Sequence, residues 1–319
     1  MYKNRKCAVI GCGNVGATSA FALMGSGLFS EIVLIDVAKQ RTEAEALDLS
    51  HSMAFCTPTK IYCGDYPDLV GCDLIVITAG AKQQPGEPRL NLIKRNTIIF
   101  KSIISEIIKY NQEGILLVVA NPVDVLTKLA LDLSGFPANR VIGSGTVLDS
   151  YRLKYFVGDC LGIDNRDVNA YVIGEHGDSS LAVWSNVTVG NIPLRDYCEQ
   201  VGKPLTDADL DKMYTDMRDS AYAIIEGKGA TYYGIGHAVL RIATAIMRDE
   251  KSILPVSSLH TGAYGLSDVC LGVPTIVGRN GIEKVVELPL NEKEKDLLKA
   301  SAAILKDTLG IAQQVLESM

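Results

Sequence analysis

The chain has 319 residues and a formal net charge of −6, with 47% hydrophobic and 21% charged residues. The negative charge argues against nucleic acid as the main partner, because binding to phosphates requires a basic surface. Eight cysteines without a Cys-x-x-Cys pair disfavour a disulfide framework or a metal site and favour a cytoplasmic protein. No apolar run has the length that a membrane span needs, and the chain length suits two associated domains.

The first elements along the chain predict a dinucleotide-binding turn. An apolar strand at 7–10 leads into Gly11-Cys12-Gly13-Asn14-Val15-Gly16, and a helical pattern follows at 17–28. A second strand at 31–35 ends in Asp36. In this arrangement the glycines allow close approach of a pyrophosphate, and the helix N-terminus supplies amide donors. Asp36 would accept hydrogen bonds from ribose hydroxyls and repel a 2′-phosphate, so the sequence predicts NAD rather than NADP as the cofactor.

Apolar strands and helical patterns then alternate, as expected for a parallel sheet covered on both faces. Further strands are predicted at 61–63, 74–78, 115–119 and 140–142, and helices at about 41–50, 91–110 and 123–133. Six such strands predict an α/β fold, a doubly wound parallel Rossmann sheet, over residues 1–143. Ligands of such a sheet lie beyond the carboxyl ends of its strands. Two polar segments follow strands there, the Pro- and Gly-rich stretch 79–89 and Asn121-Pro122-Val123-Asp124.

The second half predicts an α+β domain with antiparallel strands over residues 144–319. Helices are expected at about 147–160, 206–227, 236–250 and from 291 onward, and an antiparallel hairpin at 273–277 and 282–288. Thr206-x-x-Asp209 and Asn291-x-x-Glu294 are capping-box patterns that start two of these helices. The last helix carries an apolar stripe, expected in the core or at a subunit contact, of Leu298, Leu305, Leu309 and Leu316.

One histidine of this half has an unusual setting. His176 follows a strand-like run at 170–173 and lies between glycines in Gly174-Glu175-His176-Gly177-Asp178. Imidazole titrates near neutral pH and can take and return a proton, although a surface turn residue is the commoner explanation. Asp149 and Arg152 are three residues apart in a predicted helix and project from one face. They form either an ordinary surface ion pair or part of a site.

Taken together, the motifs resemble the L-lactate/malate dehydrogenase family, most of all its bacterial L-lactate dehydrogenases, from about residue 5 to the C-terminus. The segments that carry the resemblance are the glycine turn at 11–16, then 77–81, 84–87, Arg89, 121–124, 143–150 and 174–178. The resemblance implies an NAD-dependent oxidoreductase of glycolysis and fermentation that interconverts L-lactate and pyruvate. It also implies a homo-oligomer, a tetramer of two-fold related subunits.

The resemblance further implies roles for individual residues. His176 would exchange the proton of the substrate hydroxyl, Asp149 would accept a hydrogen bond from its ring, and Arg152 would bind the substrate carboxylate. Arg89 would contact the substrate and polarise its carbonyl once the loop 81–89 closes. The family's cofactor contacts fall on Gly11, Gly13, Asn14, Val15, Gly16, Asp36, Ala79, Gly80, Asn96, Asn121 and Ser144, with Asn121 also a substrate contact.

Substrate choice depends on Gln83. Malate dehydrogenases of the family resemble one another in carrying Arg at this position, where it pairs with the second carboxylate of oxaloacetate. A neutral Gln leaves that carboxylate unpaired, so lactate and pyruvate are expected instead of dicarboxylates. Thr231 matches a residue of the substrate pocket, or is an ordinary helix-turn residue. A larger branched 2-keto acid, or an idle NAD-binding protein with the same fold, remains an alternative.

Lys154 and Asn169 occupy the positions where many bacterial members carry an Arg and a His that bind fructose 1,6-bisphosphate at a subunit interface. Because Asn carries no charge, one of the two phosphate partners is missing. We therefore expect activation by this sugar phosphate to be weak or absent. The other three histidines and the single tryptophan are expected to be structural: His51, His237, His260 and Trp184.

Overall fold

A computed structural model describes residues 5–81 and 89–318, with residues 89 and 90 described by their backbone only. The first half of the chain alternates strands and helices, as its apolar pattern predicts. Its strands are β1 (Lys6–Ile10), β2 (Glu31–Ile35), β3 (Lys60–Cys63), β4 (Leu74–Ile77), β5 (Ile115–Val118) and β6 (Val141–Gly143). Its helices are α1 (Asn14–Gly25), α2 (Lys39–His51), α3 (Arg89–Tyr110) and α4 (Val123–Ser134), followed by α5 (Val147–Leu161).

These six strands form a parallel sheet in the order β3-β2-β1-β4-β5-β6. The predicted doubly wound parallel sheet is confirmed, and the direction of winding reverses between β1 and β4. Ile75 of β4 packs in one core cluster with Phe100 of α3. Its neighbour Val76 faces the other side and packs in a second cluster with Leu23 of α1. Both faces of the sheet are covered, which explains why its strands are continuous apolar runs.

The second half contains helices and mostly short antiparallel strands. Its strands are β7 (Val168–Asn169), β8 (Val172–Ile173), β9 (Leu181–Ala182), β10 (Thr188–Val189), β11 (Ile192–Pro193), β12 (Ser252–Thr261), β13 (Ser267–Gly278) and β14 (Gly281–Val285). Its longer helices are α6 (Leu194–Gln200), α7 (Asp207–Lys228), α8 (Tyr233–Arg248) and α9 (Glu292–Glu317). Short 3-10 helices lie at Met53–Phe55, Tyr66–Leu69, Ala138–Arg140, Asn165–Asp167, Trp184–Asn186 and Ala263–Gly265.

The antiparallel strands form three groups. β11-β10-β7 and β8-β9 are small separate sheets. β12, β13 and β14 are antiparallel to one another and extend the main sheet beyond β6, which gives nine strands. The predicted hairpin is confirmed as β13 and β14, although β13 begins earlier than expected, at Ser267, and β14 ends earlier, at Val285.

β12 is the long strand that the sequence pattern does not indicate. Pro255 and three serines interrupt its apolar residues, so it lacks a strand-like periodicity. The structure accommodates this proline because neither neighbouring strand needs its missing N–H. Pro255 lies opposite Pro274 on β13, and β12 meets β6 at a single pair, Ser257 with Gly143.

Helix packing joins the two halves of the chain. Gly236 of α8 lies so close to α1 that an added Cβ would be 2.9 Å from Cγ2 of Thr18. On the opposite face of the sheet α9 packs against α3 and α4, with Leu298, Leu305 and Leu309 buried in the core. The predicted capping boxes are present at the starts of α7 and α9. Across the described ranges, every helix is too short or too polar to cross a membrane.

Candidate active site

The turn between β1 and α1 uses its three glycines for different reasons. Gly11 has a φ of +97°, and an added Cβ would lie 2.4 Å from the backbone N of Ala79. At Gly16 a Cβ would lie 1.8 Å from the carbonyl O of Gly11. At Gly13, in contrast, a Cβ would meet no described atom within 4 Å. The chain itself therefore requires Gly11 and Gly16, whereas the open space at Gly13 leaves room for a ligand.

The N-terminus of α1 is suited to an anion. The helix begins at Asn14, earlier than the predicted residue 17, so that Gly16 lies in its first turn. Gly13 is the N-cap and offers no side chain to the amides of the first turn, which also lacks acidic residues. The amides of Asn14, Val15 and Gly16 thus have no capping side chain, and this arrangement fits a pyrophosphate.

Asp36 is fixed beside this turn by the backbone. Its Oδ2 accepts a hydrogen bond from the N–H of Cys12 at 2.6 Å, and its Oδ1 accepts one from the N–H of Ala38 at 2.9 Å. The side chain lies at the carboxyl end of β2 and is half-buried. A carboxylate in this place fits the ribose hydroxyls of NAD and disfavours the 2′-phosphate of NADP.

The ends of β4, β5 and β6 bring further expected contacts to the same edge of the sheet. Thr78 donates a hydrogen bond from Oγ1 to the carbonyl O of Gly11 at 2.6 Å, which joins the end of β4 to the glycine turn. The sequence motifs assign no role to Thr78. Within three residues of these strand ends lie the expected cofactor contacts Ala79, Gly80, Asn121 and Ser144.

Asn96 of α3 connects the loops after β4 and β5. Its Oδ1 accepts a hydrogen bond from the N–H of Ala81 at 2.7 Å, and its Nδ2 donates one to the carbonyl O of Asn121 at 2.7 Å. The side chain is 1% exposed. Because its amide group is used by the main chain, its contribution to this edge is to hold the two loops in place.

His176, Asp149 and Arg152 form one hydrogen-bonded group. Oδ2 of Asp149 lies 2.6 Å from Nδ1 of His176, and Oδ1 accepts a hydrogen bond from Nη1 of Arg152 at 3.1 Å. Asp149 and Arg152 lie on one face of α5, and His176 lies in the loop after β8. Their side chains are 12%, 17% and 26% exposed, in the order Asp149, Arg152, His176. This burial excludes the surface ion pair and the surface turn residue as explanations.

The electrostatics of the group favour a protonated imidazole at neutral pH. The negative charge of Asp149 raises the pKa of His176 to about 8, against burial and the cationic Arg152. Burial acts to raise the pKa of Asp149, but His176 and Arg152 together hold it below its ordinary value. The ring can therefore donate a proton at neutral pH and accept one in mildly alkaline solution.

A second acidic residue contacts His176 from α4. Oδ2 of Asp124 accepts a hydrogen bond from the backbone N–H of His176 at 2.7 Å, and Asp124 is 2% exposed. Burial raises the pKa of Asp124 to about 6. The sequence motifs assign no role to Asp124. The available signal is an acidic residue in the first turn of a helix that begins at the carboxyl edge of the sheet.

The structure describes only part of the other residues expected to contact the substrate. Gln83 and most of the loop 81–89 lie outside the described residues, and so does the side chain of Arg89, whose backbone begins α3. Thr231 is half-buried in the loop between α7 and α8. The described hydrogen bonds bring Asp149, Arg152 and His176 together but do not connect Thr231 to them.

The residues expected at the sugar phosphate site and the other histidines lie elsewhere. Nζ of Lys154 lies 5.2 Å from the centroid of the Tyr151 ring, and burial lowers the pKa of this lysine. Asn169 is exposed in β7. In the described part of the chain, His, Cys, Asp and Glu side chains form no group of three or more that could hold a metal ion. The other histidines are two exposed helix residues and one buried strand residue: His51, His237 and His260.

Comparison with known proteins adds the family. The profile of the lactate/malate dehydrogenase NAD-binding domain matches residues 5–143, and that of the family's alpha/beta C-terminal domain matches residues 146–315. The chain is 52% identical to the L-lactate dehydrogenase of Acetivibrio thermocellus over 96% of both chains. It is 53% identical to that of Clostridium botulinum strain Langeland over 98% of this chain and 99% of the other.

Solved structures show the same similarity. The ligand-bound minor L-lactate dehydrogenase of Enterococcus mundtii superimposes with a TM-score of 0.93 at 40% identity, over 96% of this chain and 98% of the other. A lactate dehydrogenase from a deep-sea metagenome library, MGS-M5, gives 0.94 at 44% identity, over 98% and 99%. With both domain profiles matched and an edge that fits NAD, the chain belongs to the lactate/malate dehydrogenase family.

Proposed function

We propose that the protein catalyses the reversible, NAD-dependent interconversion of L-lactate and pyruvate. The observation that carries this proposal is the buried group of His176, Asp149 and Arg152, which combines an acid/base, its orienting carboxylate and a guanidinium. The curated relatives at 52–53% identity are L-lactate dehydrogenases, which supports this substrate pair.

The glycine turn and the strand ends hold the cofactor. The amides of Asn14, Val15 and Gly16 bind the pyrophosphate beside the open space at Gly13, and Asp36 binds the adenosine ribose. Ala79, Gly80, Asn121 and Ser144 line the path toward His176, and Asn96 holds this path in shape. When bound, NAD supplies the acceptor for the hydride that leaves C2 of lactate.

His176 moves the proton of the substrate hydroxyl. Its Nδ1 faces Asp149, so Nε2 is the nitrogen left for the substrate. With Nδ1–H donated to Asp149, neutral Nε2 accepts the hydroxyl proton of lactate, and protonated Nε2 returns it to the carbonyl oxygen of pyruvate. Asp149 fixes this tautomer and stabilises the imidazolium form.

Arg152 binds the substrate carboxylate. Within the described part of the chain its guanidinium has one protein hydrogen bond, from Nη1 to Asp149, which leaves further N–H groups for a carboxylate. Arg89 polarises the carbonyl of pyruvate when the loop 81–89 closes, and Gln83 excludes dicarboxylates. Thr231 lines the pocket beside them. The support for these last three roles is the family resemblance.

The enzyme works in the cytoplasm in glycolysis and fermentation, as a homotetramer. Apolar side chains left on the surface support subunit contacts, for example Phe21, 58% exposed, and Phe55, 89% exposed. Regulation by fructose 1,6-bisphosphate is weak, because the half-buried Lys154 and the uncharged Asn169 replace the usual Arg and His.

A substrate panel tests the proposed reaction. Loss of NADH absorbance is followed with pyruvate, oxaloacetate and a branched 2-keto acid for the wild type, His176→Asn and the control His51→Asn. Pyruvate should be the best substrate, and His176→Asn should lose roughly 10²- to 10⁴-fold in kcat, the usual contribution of an acid/base. If the wild type consumes no NADH with any of these acids, the protein is an idle NAD-binding member. Highest efficiency with another acid would reassign the substrate.

A further inference from the structure

The loop that carries His176 is fixed through three successive backbone amides. The N–H of Gly174 donates to the carbonyl O of Gly272 on β13 at 2.8 Å. The N–H of Glu175 donates to Oγ of Ser301 on α9 at 2.8 Å, and the N–H of His176 donates to Oδ2 of Asp124 at 2.7 Å. Only the last of these three acceptors, the carboxylate of Asp124, is an ionisable group, and the N–H that it binds is that of the histidine itself.

Asp124 lies inside the protein, where its charge is shielded from water. It is 2% exposed in the first turn of α4, where the helix N-terminus favours a negative charge. His176 therefore lies between two buried carboxylates from different helices. Asp149 of α5 contacts its ring, and Asp124 of α4 contacts its main chain.

We propose that Asp124 is a positioning residue for His176, which fixes the main chain of the catalytic histidine and supports its imidazolium form by charge. This inference rests on the proposed proton transfer by His176. A carboxylate accepts hydrogen bonds more strongly than a neutral group does, and a buried one is weakly screened. One residue can thus set both where the imidazole lies and how readily it keeps its proton.

The surrounding charges agree with this role. His176 is faced by Asp149 and Arg152 from α5 and by Asp124 from α4, and its chain neighbour Glu175 acts on Asp124. Asp149 is the main cause of the raised pKa of His176, Asp124 adds to it, and Arg152 opposes it.

The pKa of Asp124 lies below that of His176. Burial raises the pKa of Asp124 to about 6, Glu175 adds to this, and the N–H and positive charge of His176 lower it. The thiol of Cys270 on β13 also feels Asp124, because burial and this carboxylate raise its pKa. Lys128 and Asp132, further along α4, form an ion pair of their own. Between pH 6 and 8 Asp124 is ionised while His176 is protonated, so the supporting charge is present when the acid is needed.

Two variants separate the hydrogen bond from the charge. Asp124→Asn keeps an amide oxygen that can accept from the N–H of His176, but it removes the charge. Asp124→Ala removes both. Misplacement of a catalytic group by an ångström costs roughly 10²-fold in rate, so we expect Asp124→Ala to lower kcat by roughly 10- to 100-fold. The KM for pyruvate should change little because Arg152 remains, and Asp124→Asn should recover most of kcat.

The charge is tested on the protein without cofactor or substrate. The ring protons of His176 are titrated by NMR in the wild type, Asp124→Asn and Asp132→Asn, with His176→Asn used for assignment. Asp132→Asn is the matched control, since it removes a partly exposed carboxylate from the same helix. The titration midpoint of His176 should fall in Asp124→Asn, by roughly half a pH unit or more, and stay unchanged in Asp132→Asn.

Clear outcomes overturn each part of the proposal. Wild-type kcat and pH profile in Asp124→Ala would exclude a positioning role, and an unchanged midpoint in Asp124→Asn would exclude the charge effect. If Asp124→Ala does not fold, the titration of Asp124→Asn decides. A wild type without pyruvate turnover refutes the proposed function, whereas the titration still tests the pairing of Asp124 with His176.

Discussion

Oδ2 of Asp149 lies 2.6 Å from Nδ1 of His176, although 27 residues separate them in the chain. The other oxygen of this carboxylate accepts a hydrogen bond from Arg152 at 3.1 Å. One buried carboxylate therefore sets the distance between the proposed acid/base and the proposed substrate clamp. A change at Asp149 should thus affect both the proton transfer by His176 and the binding of substrate by Arg152.

The two directions of the reaction should depend oppositely on pH. Pyruvate reduction needs protonated His176, whose pKa of about 8 is raised mainly by Asp149. We expect kcat/KM for pyruvate to be constant below this pH and to fall about tenfold per unit above it. For lactate, kcat/KM should rise with pH and level off above 8. Profiles from pH 6 to 10 test this, and a midpoint near 6.5 in both would contradict the raised pKa.

Asp149→Asn should remove the main cause of that raised pKa. The protonated fraction of His176 at neutral pH then falls, and the amide can stabilise the wrong tautomer. We expect a loss in kcat for pyruvate of roughly 10²- to 10⁴-fold and a midpoint shifted to lower pH. The control is Asp159→Asn, an exposed carboxylate on the same helix. Retention of the wild-type profile in Asp149→Asn would contradict the role of this carboxylate.

Gln83→Arg should move substrate preference toward oxaloacetate. The added guanidinium would pair with the second carboxylate, which is otherwise buried without a partner. We expect the ratio of kcat/KM for oxaloacetate to that for pyruvate to rise at least roughly tenfold. Gln84→Arg places the same charge one residue away and should change this ratio less. Equal ratios in the two variants would count against Gln83 as the determinant.

Asp36→Asn should weaken the preference for NADH over NADPH. The carboxylate accepts from two backbone N–H groups, and its charge repels a 2′-phosphate. We expect KM for NADH to rise and the preference to narrow, each by roughly tenfold. Asp48→Asn, an exposed position on α2, is the control. An unchanged ratio of efficiencies with the two cofactors would show that discrimination lies elsewhere.

Fructose 1,6-bisphosphate should have little effect at neutral pH. Asn169 offers no charge to a phosphate, and burial lowers the pKa of Lys154. We expect the KM for pyruvate to change by less than about fivefold, the lower end of typical allosteric coupling. The double variant Lys154→Arg and Asn169→His restores the usual Arg and His pair and should gain sensitivity. Strong activation of the wild type would contradict this expectation.

Local patterns made the parallel sheet and its helices predictable. The strands of the first half are apolar runs between turn residues, and the capping boxes at Thr206 and Asn291 mark helix starts through neighbouring residues alone. β12 was not predictable in this way. Its place in the sheet comes from pairing with β13 and β6, which a periodicity along the chain does not include.

The site shows the same limit. The spacing of Asp149 and Arg152 predicts a shared helix face, but no neighbouring residue indicates which distant segment of the chain this face contacts. Only the family resemblance predicts that His176 lies beside these two residues. The contact of Asp124 with the His176 backbone spans 52 residues and uses a backbone N–H, which every residue except proline has, so the sequence carries no specific sign of it.

The extension of the parallel sheet by β12, β13 and β14 has a mechanical consequence. Strands from both sides of the proposed boundary at residue 143 belong to one hydrogen-bonded sheet. A hinge motion of the two halves as separate bodies would break the pairing of β6 with β12, so we expect movements during turnover to be confined to shorter segments. A fragment that ends at residue 143 would leave β6 as an open edge strand and uncover the face of α1 that packs on α8, which predicts aggregation instead of independent folding.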